Sequence, residues 1–243
     1  MGLPILNIGA GTMQRLEGQI NADIHSRENI DTVFDACKPW PFADNSISSV
    51  KAYHVLEHLP DPQSFFKEAW RVLAPSKSTD GYNVHLRLPY GPSNGGISDL
   101  THLRQWVPSS FGCFQPGYGT SVGNPQHDNW DSPFDIVGVY QRINPELRYL
   151  VRPIIRRIGV PILRFLWDGY IEMTVGLRAL KTKDEITRFT IRKRPIDIPV
   201  ASYMFKHEYE GRDLGEEEPP ETRFFGENAK ELTYNYVQRL KMC

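Results

Sequence analysis

Short apolar runs recur along the first 90 residues, and each stops at a glycine, an acid or a histidine. Ile5-Leu6-Asn7-Ile8 runs into Gly9-Ala10-Gly11-Thr12, the pattern of a buried strand entering a tight turn. Gln19 to Ile24 is a second short strand with Asp23 near its end, and Thr32-Val33-Phe34-Asp35 is a third. Two prolines exclude Lys38-Pro39-Trp40-Pro41-Phe42 from a helix. A fourth strand is expected between Ile47 and Val55. The period then changes. Phe65, Phe66, Ala69, Trp70, Val72 and Leu73 recur at helical spacing behind Asp61-Pro62, which supply a cap and a first-turn proline. Ala74-Pro75 ends that helix, Tyr82 to Leu88 alternates as a strand should, and Pro89-Tyr90-Gly91-Pro92 stops it.

Strands alternating with turns or helices predict an α/β fold with a mostly parallel sheet, which binds ligands at the carboxyl ends of its strands. Gly9, Asp23, Asp35 and His54 all fall at or just after such ends. Residues 91–131 read as long loops carrying a short helix near Ser109-Ser110-Phe111. Asp135 to Tyr140 reads as a further strand and Pro145 to Leu166 as a helix with a basic side, interrupted at Pro153 and Pro161. Glu185 to Lys193 reads as a final strand on the alternation of Ile186, Phe189 and Ile191. The texture changes near Pro195. Residues 1–194 are therefore assigned to one domain and 195–243 to a C-terminal extension with an acidic stretch.

Charge and cysteine content narrow the partners. Basic and acidic residues number 28 and 29, so no basic excess points to nucleic acid. Cys37, Cys113 and Cys243 form neither a disulfide framework nor a zinc ribbon. With no signal-peptide pattern, no myristoylation signal and no apolar run of membrane-spanning length, a cytoplasmic location is expected.

Glycines at the first turn allow backbone angles closed to other residues and let a ligand approach the main chain. Met13 stands where a dinucleotide fingerprint has its third glycine, which argues against that motif. A carboxylate such as Asp23 can accept both vicinal hydroxyls of a ribose, and a solvated turn aspartate is the alternative. Asp35-Ala36 falls where an adenine edge would be read.

Five segments together resemble the type 11 group of class I methyltransferases. They are Leu6 to Gly11, Asn21-Ala22-Asp23, Asp35 with Pro39 to Ser46, His54 to Leu59, and Glu68 to Pro75. The resemblance implies a Rossmann-like fold whose mostly parallel seven-stranded sheet is flanked by helices, with S-adenosylmethionine as cofactor. It implies cofactor contacts from Asn7, Gly9, Ala10, Gly11, Asp23, Ile24, Asp35, Ala36 and His54. Gly9 and Gly11 would pass the methionine part, Asp23 would take the ribose, Asp35 and Ala36 would flank the adenine, and His54 would lie near the sulfonium. Asp99 to Arg104 resembles a loop that runs Asp-Pro-Thr-His in many relatives, with Leu100 in place of the proline. Tyr170 and Glu172, with the expected strand at Thr187–Lys193, resemble the closing segment. The helix between the first two strands must be very short, since Gly11 and Asp23 are so close. Pro75 to Gly81 replaces the usual Pro-Gly-Gly turn, and nothing after residue 195 has a recognised counterpart.

Other readings compete for the same residues. His54-Val55-Leu56-Glu57-His58 spells an inverted zincin motif, but that motif needs one continuous helix and His54 is expected to end a strand. No metal is therefore expected. An Asp99–His102 pair can hold an acceptor hydroxyl and remove its proton, or it can staple its own loop. His54, His102 and Asp99 are the catalytic candidates. Tyr90 and Trp106 either wall a pocket or pack in the core. The arginines between 148 and 164 can rest on an anionic membrane surface or face solvent. The expected function is methyl transfer to a small hydroxylated or amino-bearing molecule, and the alternative is a non-catalytic cofactor-binding subunit. The sequence carries no signal for oligomeric state.

Overall fold

Alternation along the strands produces a sheet with two unlike faces. The computed structural model describes residues 2–14, 16–75, 81–121, 131–144, 146, 168–192 and 200–203. In β1 (Ile5–Ile8), Leu6 and Ile8 share a face with Ile20 and Ala22 of β2 (Gln19–Asp23). On the other side they align with Val50 and Ala52 of β4 (Ser49–Tyr53), which align with Val84 and Leu86 of β5 (Val84–Pro89). This apolar face belongs to one core with Phe65, Phe66, Ala69 and Val72 of α1 (Pro62–Val72). Burying each phenylalanine contributes roughly 1.5–3 kcal/mol. The opposite face carries Asn7, Gln19, Asn21, Lys51, His85 and Arg87, so the sheet is apolar on one side and polar on the other.

The strand order is β3-β2-β1-β4-β5-β7-β6-β8, where β3 is Thr32–Val33, β6 Phe134–Ile143, β7 Tyr170–Ala179 and β8 Val200–Tyr203. β7 runs antiparallel to both of its neighbours, and every other pairing is parallel. Seven strands match the expected mostly parallel sheet. The eighth, β8, comes from the segment 195–243 and pairs with β6 through Val139 and Val200.

Local chemistry explains α1. The Asp61 carboxylate accepts the Ser64 amide at 3.2 Å and the Ser64 hydroxyl at 2.6 Å, closing the first turn as a cap. Two shorter helices follow, α2 (Asn94–Ile97) and α3 (Tyr118–Ser121), with a 3₁₀ turn over Pro108–Phe114 between them. The last, α4 (Lys183–Arg192), corrects a sequence expectation: of the segment expected as a strand over Glu185–Lys193, residues 185–192 are helical and Lys193 lies outside the described residues. Thr182 and Glu185 form a reciprocal cap, the Glu185 carboxylate accepting the Thr182 amide at 2.9 Å and the Thr182 hydroxyl accepting the Glu185 amide at 3.2 Å. Ile186 and Phe189 lie three apart, which suits a helix face. The closing strand is instead β7. The expected helix at 145–166 lies outside the described residues apart from its second position.

Among the described residues no helix covers the crossovers from β1 to β4, and side chains tie them down. Arg71 on α1 grips the β3–β4 connection. Its guanidinium donates to the Phe42 carbonyl at 2.8 Å, the Trp40 carbonyl at 3.0 Å and Asp44 at 2.7 Å. It also pairs in bidentate fashion with Glu68, whose carboxylate accepts the Trp40 amide at 2.6 Å. Burial alone would raise the Glu68 pKa, but Arg71 and the Trp40 amide hold it below the usual value. Trp40 is thereby seated in the core, 5.3 Å from the Phe65 ring.

Replacing Arg71 with alanine is expected to cost about 2–4 kcal/mol in denaturant unfolding, since Glu68 and two carbonyls lose their donor together. Lysine should recover only part of that, because it lacks the planar fork. A second prediction concerns acid. Burial, with Lys51 beside it, pushes the His85 pKa from 6.5 down to about 3. The unfolded chain takes up the proton first, so the His85 contribution is complete above pH 6.5 and is lost as pH falls toward 3. Melts at pH 7 and 4.5 should show the acid loss smaller in His85→Gln, by on the order of 1 kcal/mol.

Candidate functional site

The carboxyl ends of β1, β2 and β4 converge on one cradle. Gly9 and Gly11 follow β1 with φ of 67° and 55°, left-handed angles that glycine adopts without penalty. A Cβ on Gly9 would stand 2.3 Å from the Val55 Cγ2, so the loop after β1 lies directly against the turn after β4. Buried amides hold this loop from beneath. The Asn21 side chain donates to the Met13 and Asn29 carbonyls at 3.3 and 3.2 Å and accepts from Asn7 and Gln19. Asn29 donates to the carbonyls of Gly11 at 3.1 Å and Met13 at 2.7 Å. Ala10 is buried within the same loop. Asn7 thus supports the cradle from below.

Asp23 closes the cradle. Its two carboxylate oxygens each accept one backbone amide, from Gly11 and from His25, both at 2.9 Å. Burial pushes its pKa up, but those amides and the Arg27 guanidinium outweigh this and leave it lowered, so it is a carboxylate at neutral pH. Each oxygen keeps a further lone pair for a hydroxyl donor. Ile24, next along the chain, is 59% exposed and presents a bare apolar surface beside Asp23. Asp35 accepts the Cys37 amide at 2.8 Å, and the Ala36 carbonyl accepts the Trp40 indole at 3.1 Å, which fixes that loop.

His54 is held at φ 54°, in the left-handed region where a non-glycine residue stores about 1–3 kcal/mol of strain. Its amide donates to the Arg87 carbonyl at 2.7 Å, and its Nδ1 lies 3.3 Å from Glu57 Oε1. The turn after it, Leu56–His58, is a 3₁₀ turn separate from α1. The single helix that the inverted zincin motif requires is therefore absent from His54–His58.

The loop after β5 is laid onto this turn. The Leu103 amide donates to the Glu57 carbonyl at 2.8 Å, and Arg104 donates to the Leu59 carbonyl at 2.7 Å. Asp99 accepts the amide and hydroxyl of Thr101 at 2.8 and 2.7 Å. Its closest approach to His102 is 3.7 Å, too long for a hydrogen bond, so Asp99 staples its own loop. His102 Nδ1 instead faces the Gly96 carbonyl at 3.2 Å. Trp106 stacks on Phe111 at 5.2 Å and Tyr90 meets Tyr170 at 5.6 Å, so both pack in the core. Glu172 bridges Arg87 and Arg142 across β5, β7 and β6.

The structure therefore gathers Asn7, Gly9, Ala10, Gly11 and Asp23 at one cradle, with His54 on the neighbouring turn. It places His102 and Asp99 on the loop stitched to that turn. Sequence reasoning missed Asn29, whose partners are backbone carbonyls remote in sequence, and gave Glu57 no role.

Comparison with known proteins fits this arrangement. A methyltransferase domain family matches residues 10–78, the stretch from the first glycine turn to the end of the α1 segment. The order β3-β2-β1-β4-β5-β7-β6 with β7 reversed is that of class I methyltransferases. The chain has the Rossmann-like fold of class I methyltransferases. S-adenosylmethionine is the cofactor of class I methyltransferases, and a left-handed glycine cradle with a carboxylate at its mouth fits it. Among solved structures, the chain is similar to the [4+2]-cyclase SpnF at 16% identity, covering 73% of this chain and 75% of that one, with a TM-score of 0.42. It is similar to an S-adenosylmethionine-dependent methyltransferase from Mesorhizobium loti at 12% identity, over 73% and 91% of the two chains, TM-score 0.40. A similar methyltransferase from Thermotoga maritima is 12% identical over 72% and 82%, TM-score 0.41. At these values the strand order, not the superposition, carries the fold. No curated protein matches the chain significantly. No described helix is long and apolar enough to cross a membrane.

Gly9→Ala tests the cradle. The new methyl group meets Val55 at a left-handed φ, so a stability loss of about 1–3 kcal/mol is expected together with loss of cofactor binding. Thermal melts and a titration with S-adenosylhomocysteine measure the two effects separately.

Proposed function

We propose that the protein transfers the methyl group of S-adenosylmethionine to a small hydroxylated or amino-bearing molecule bound beside His54 and His102. The observation that carries this reading is Asp23, an ionised carboxylate at the end of β2 that holds the glycine loop and keeps acceptor capacity for two hydroxyls. Gly9 and Gly11 offer main chain that a ligand can approach, Ile24 offers an apolar surface to a base, and Asp35 and Ala36 bound the far side.

S-adenosylmethionine supplies an electrophilic methyl group, so the protein's own work is to orient the acceptor, exclude water and remove a proton. His54 is positioned for the acceptor side. It is half-exposed, and the strained backbone directs its ring toward Glu57 beside the cradle. His102 stands on the β5 loop stitched to the turn that follows His54, with Nδ1 facing a carbonyl so that Nε2 keeps its lone pair, and proton removal falls to His54. Asp99 supports that loop through Thr101 and acts on the acceptor only through its placement of His102.

Calorimetric titration with S-adenosylmethionine and S-adenosylhomocysteine tests the reading. Micromolar binding, about −8 kcal/mol, is expected for the unaltered protein. Asp23→Ala should weaken it at least about tenfold, the loss of roughly one charge-assisted hydrogen bond. A folded protein that binds neither ligand would overturn the proposal.

A further inference from the structure

Glu57 is a buried carboxylate with no hydrogen bond. It is 2% exposed, and neither of its carboxylate oxygens accepts one among the described residues. Leaving such a group unpaired costs several kcal/mol, and a cation is the usual remedy. Its carboxylate lies 3.3 Å from the His54 ring, on a half-exposed side chain.

Two further histidines meet at the same point. The ligating atoms of Glu57, His58 and His102 all lie within 4.8 Å of one another. The two imidazole rings sit edge to face with centroids 4.9 Å apart. Their outer nitrogens are already committed. His58 Nδ1 lies 3.3 Å from the Thr101 carbonyl and 3.1 Å from its hydroxyl, and His102 Nδ1 lies 3.2 Å from the Gly96 carbonyl. Carbonyls only accept, so each Nδ1 carries the proton and each Nε2 keeps its lone pair. A histidine whose second nitrogen donates to a carbonyl is oriented and made more basic as a metal ligand. The Leu103–Glu57 and Arg104–Leu59 bonds clamp the two segments that bear these groups.

We infer that Glu57, His58 and His102 form a site for one divalent first-row metal ion such as Zn²⁺. Two imidazoles and a carboxylate suit that class of ion and leave at least one coordination position open. Val55, two residues before Glu57, touches Gly9, so the ion stands next to the cofactor cradle. Resting on the methyl-transfer reading, the open position takes an oxygen of the acceptor and makes its hydroxyl more acidic. Such a site departs from the expectation of a metal-free protein, with ligands from the turn after β4 and the β5 loop rather than from the helix that a zincin would need.

The test uses the full chain, freed of metal by chelation and titrated with ZnCl₂ in a calorimeter without S-adenosylmethionine. One Zn²⁺ per chain is expected, with affinity lowered at least about tenfold in Glu57→Gln and in His102→Gln. Asp23→Ala should bind Zn²⁺ like the unaltered chain. Circular dichroism confirms that each variant is folded, and His58→Gln stands in if either of the others is not. Absence of Zn²⁺ binding, or binding unchanged in these variants, overturns the site. Titration with S-adenosylhomocysteine separates the two proposals: a chain that binds it but not Zn²⁺ loses only the metal site, and one that binds only Zn²⁺ loses the methyl-transfer reading.

Discussion

Parallel strands need crossovers, and here the crossovers that join β1 to β4 contain no helix among the described residues. A helix satisfies its own backbone and covers the sheet at once. Without one, each connection depends on side chains that reach its carbonyls and amides. Asn21 and Asn29 serve the first connection, the Asp31 carboxylate accepts the Asn21 amide below the second, and Arg71 with Glu68 holds the third. This accounts for the polar face of β1 and β2. Asn7, Gln19 and Asn21 stand where a covering helix would call for apolar residues, and their amides are used to pin the loop that bears Gly9 and Gly11.

The same constraint links fold to function. The glycine loop keeps its left-handed angles because it is tied below by amides and in front by Asp23. The β5 loop keeps His102 in place because it is bonded to the turn after β4. Both halves of the site are loops, yet each is anchored through main-chain groups at several points. Such anchoring holds side chains on loops within the tolerance that positioning chemistry demands.

Much of this was legible in the sequence where one face of an element is buried. β1, β2, β5 and α1 announce themselves through alternation, helical spacing and the Asp61-Pro62 cap. β7 did not, because it is buried on both faces over most of its length and so shows no alternation. α4 was misread because Ile186, Phe189 and Ile191 suggested alternation, while the Thr182–Glu185 cap went unweighed. Of the site, Gly9, Gly11 and Asp23 stood out because their chemistry is local to a strand end. Asn29, Arg71 and Glu57 act through contacts distant along the chain, and no local pattern records those. The Arg-Val-Leu and Pro-Trp-Pro segments, noticed only as parts of a resemblance, are joined by the Arg71 guanidinium, which explains why they belong together.

The missing first helix has an electrostatic consequence. Nucleotide sites that begin a helix at the glycine turn place the positive end of the helix dipole on a bound phosphate. In this protein residues 9–14 and 16–18 form no helix, and the Asp23 carboxylate faces the turn with the Arg27 guanidinium 4.0 Å from it. A pyrophosphate-bearing dinucleotide would find no helix dipole at this turn to hold its phosphates, while a positively charged sulfur meets no opposing dipole.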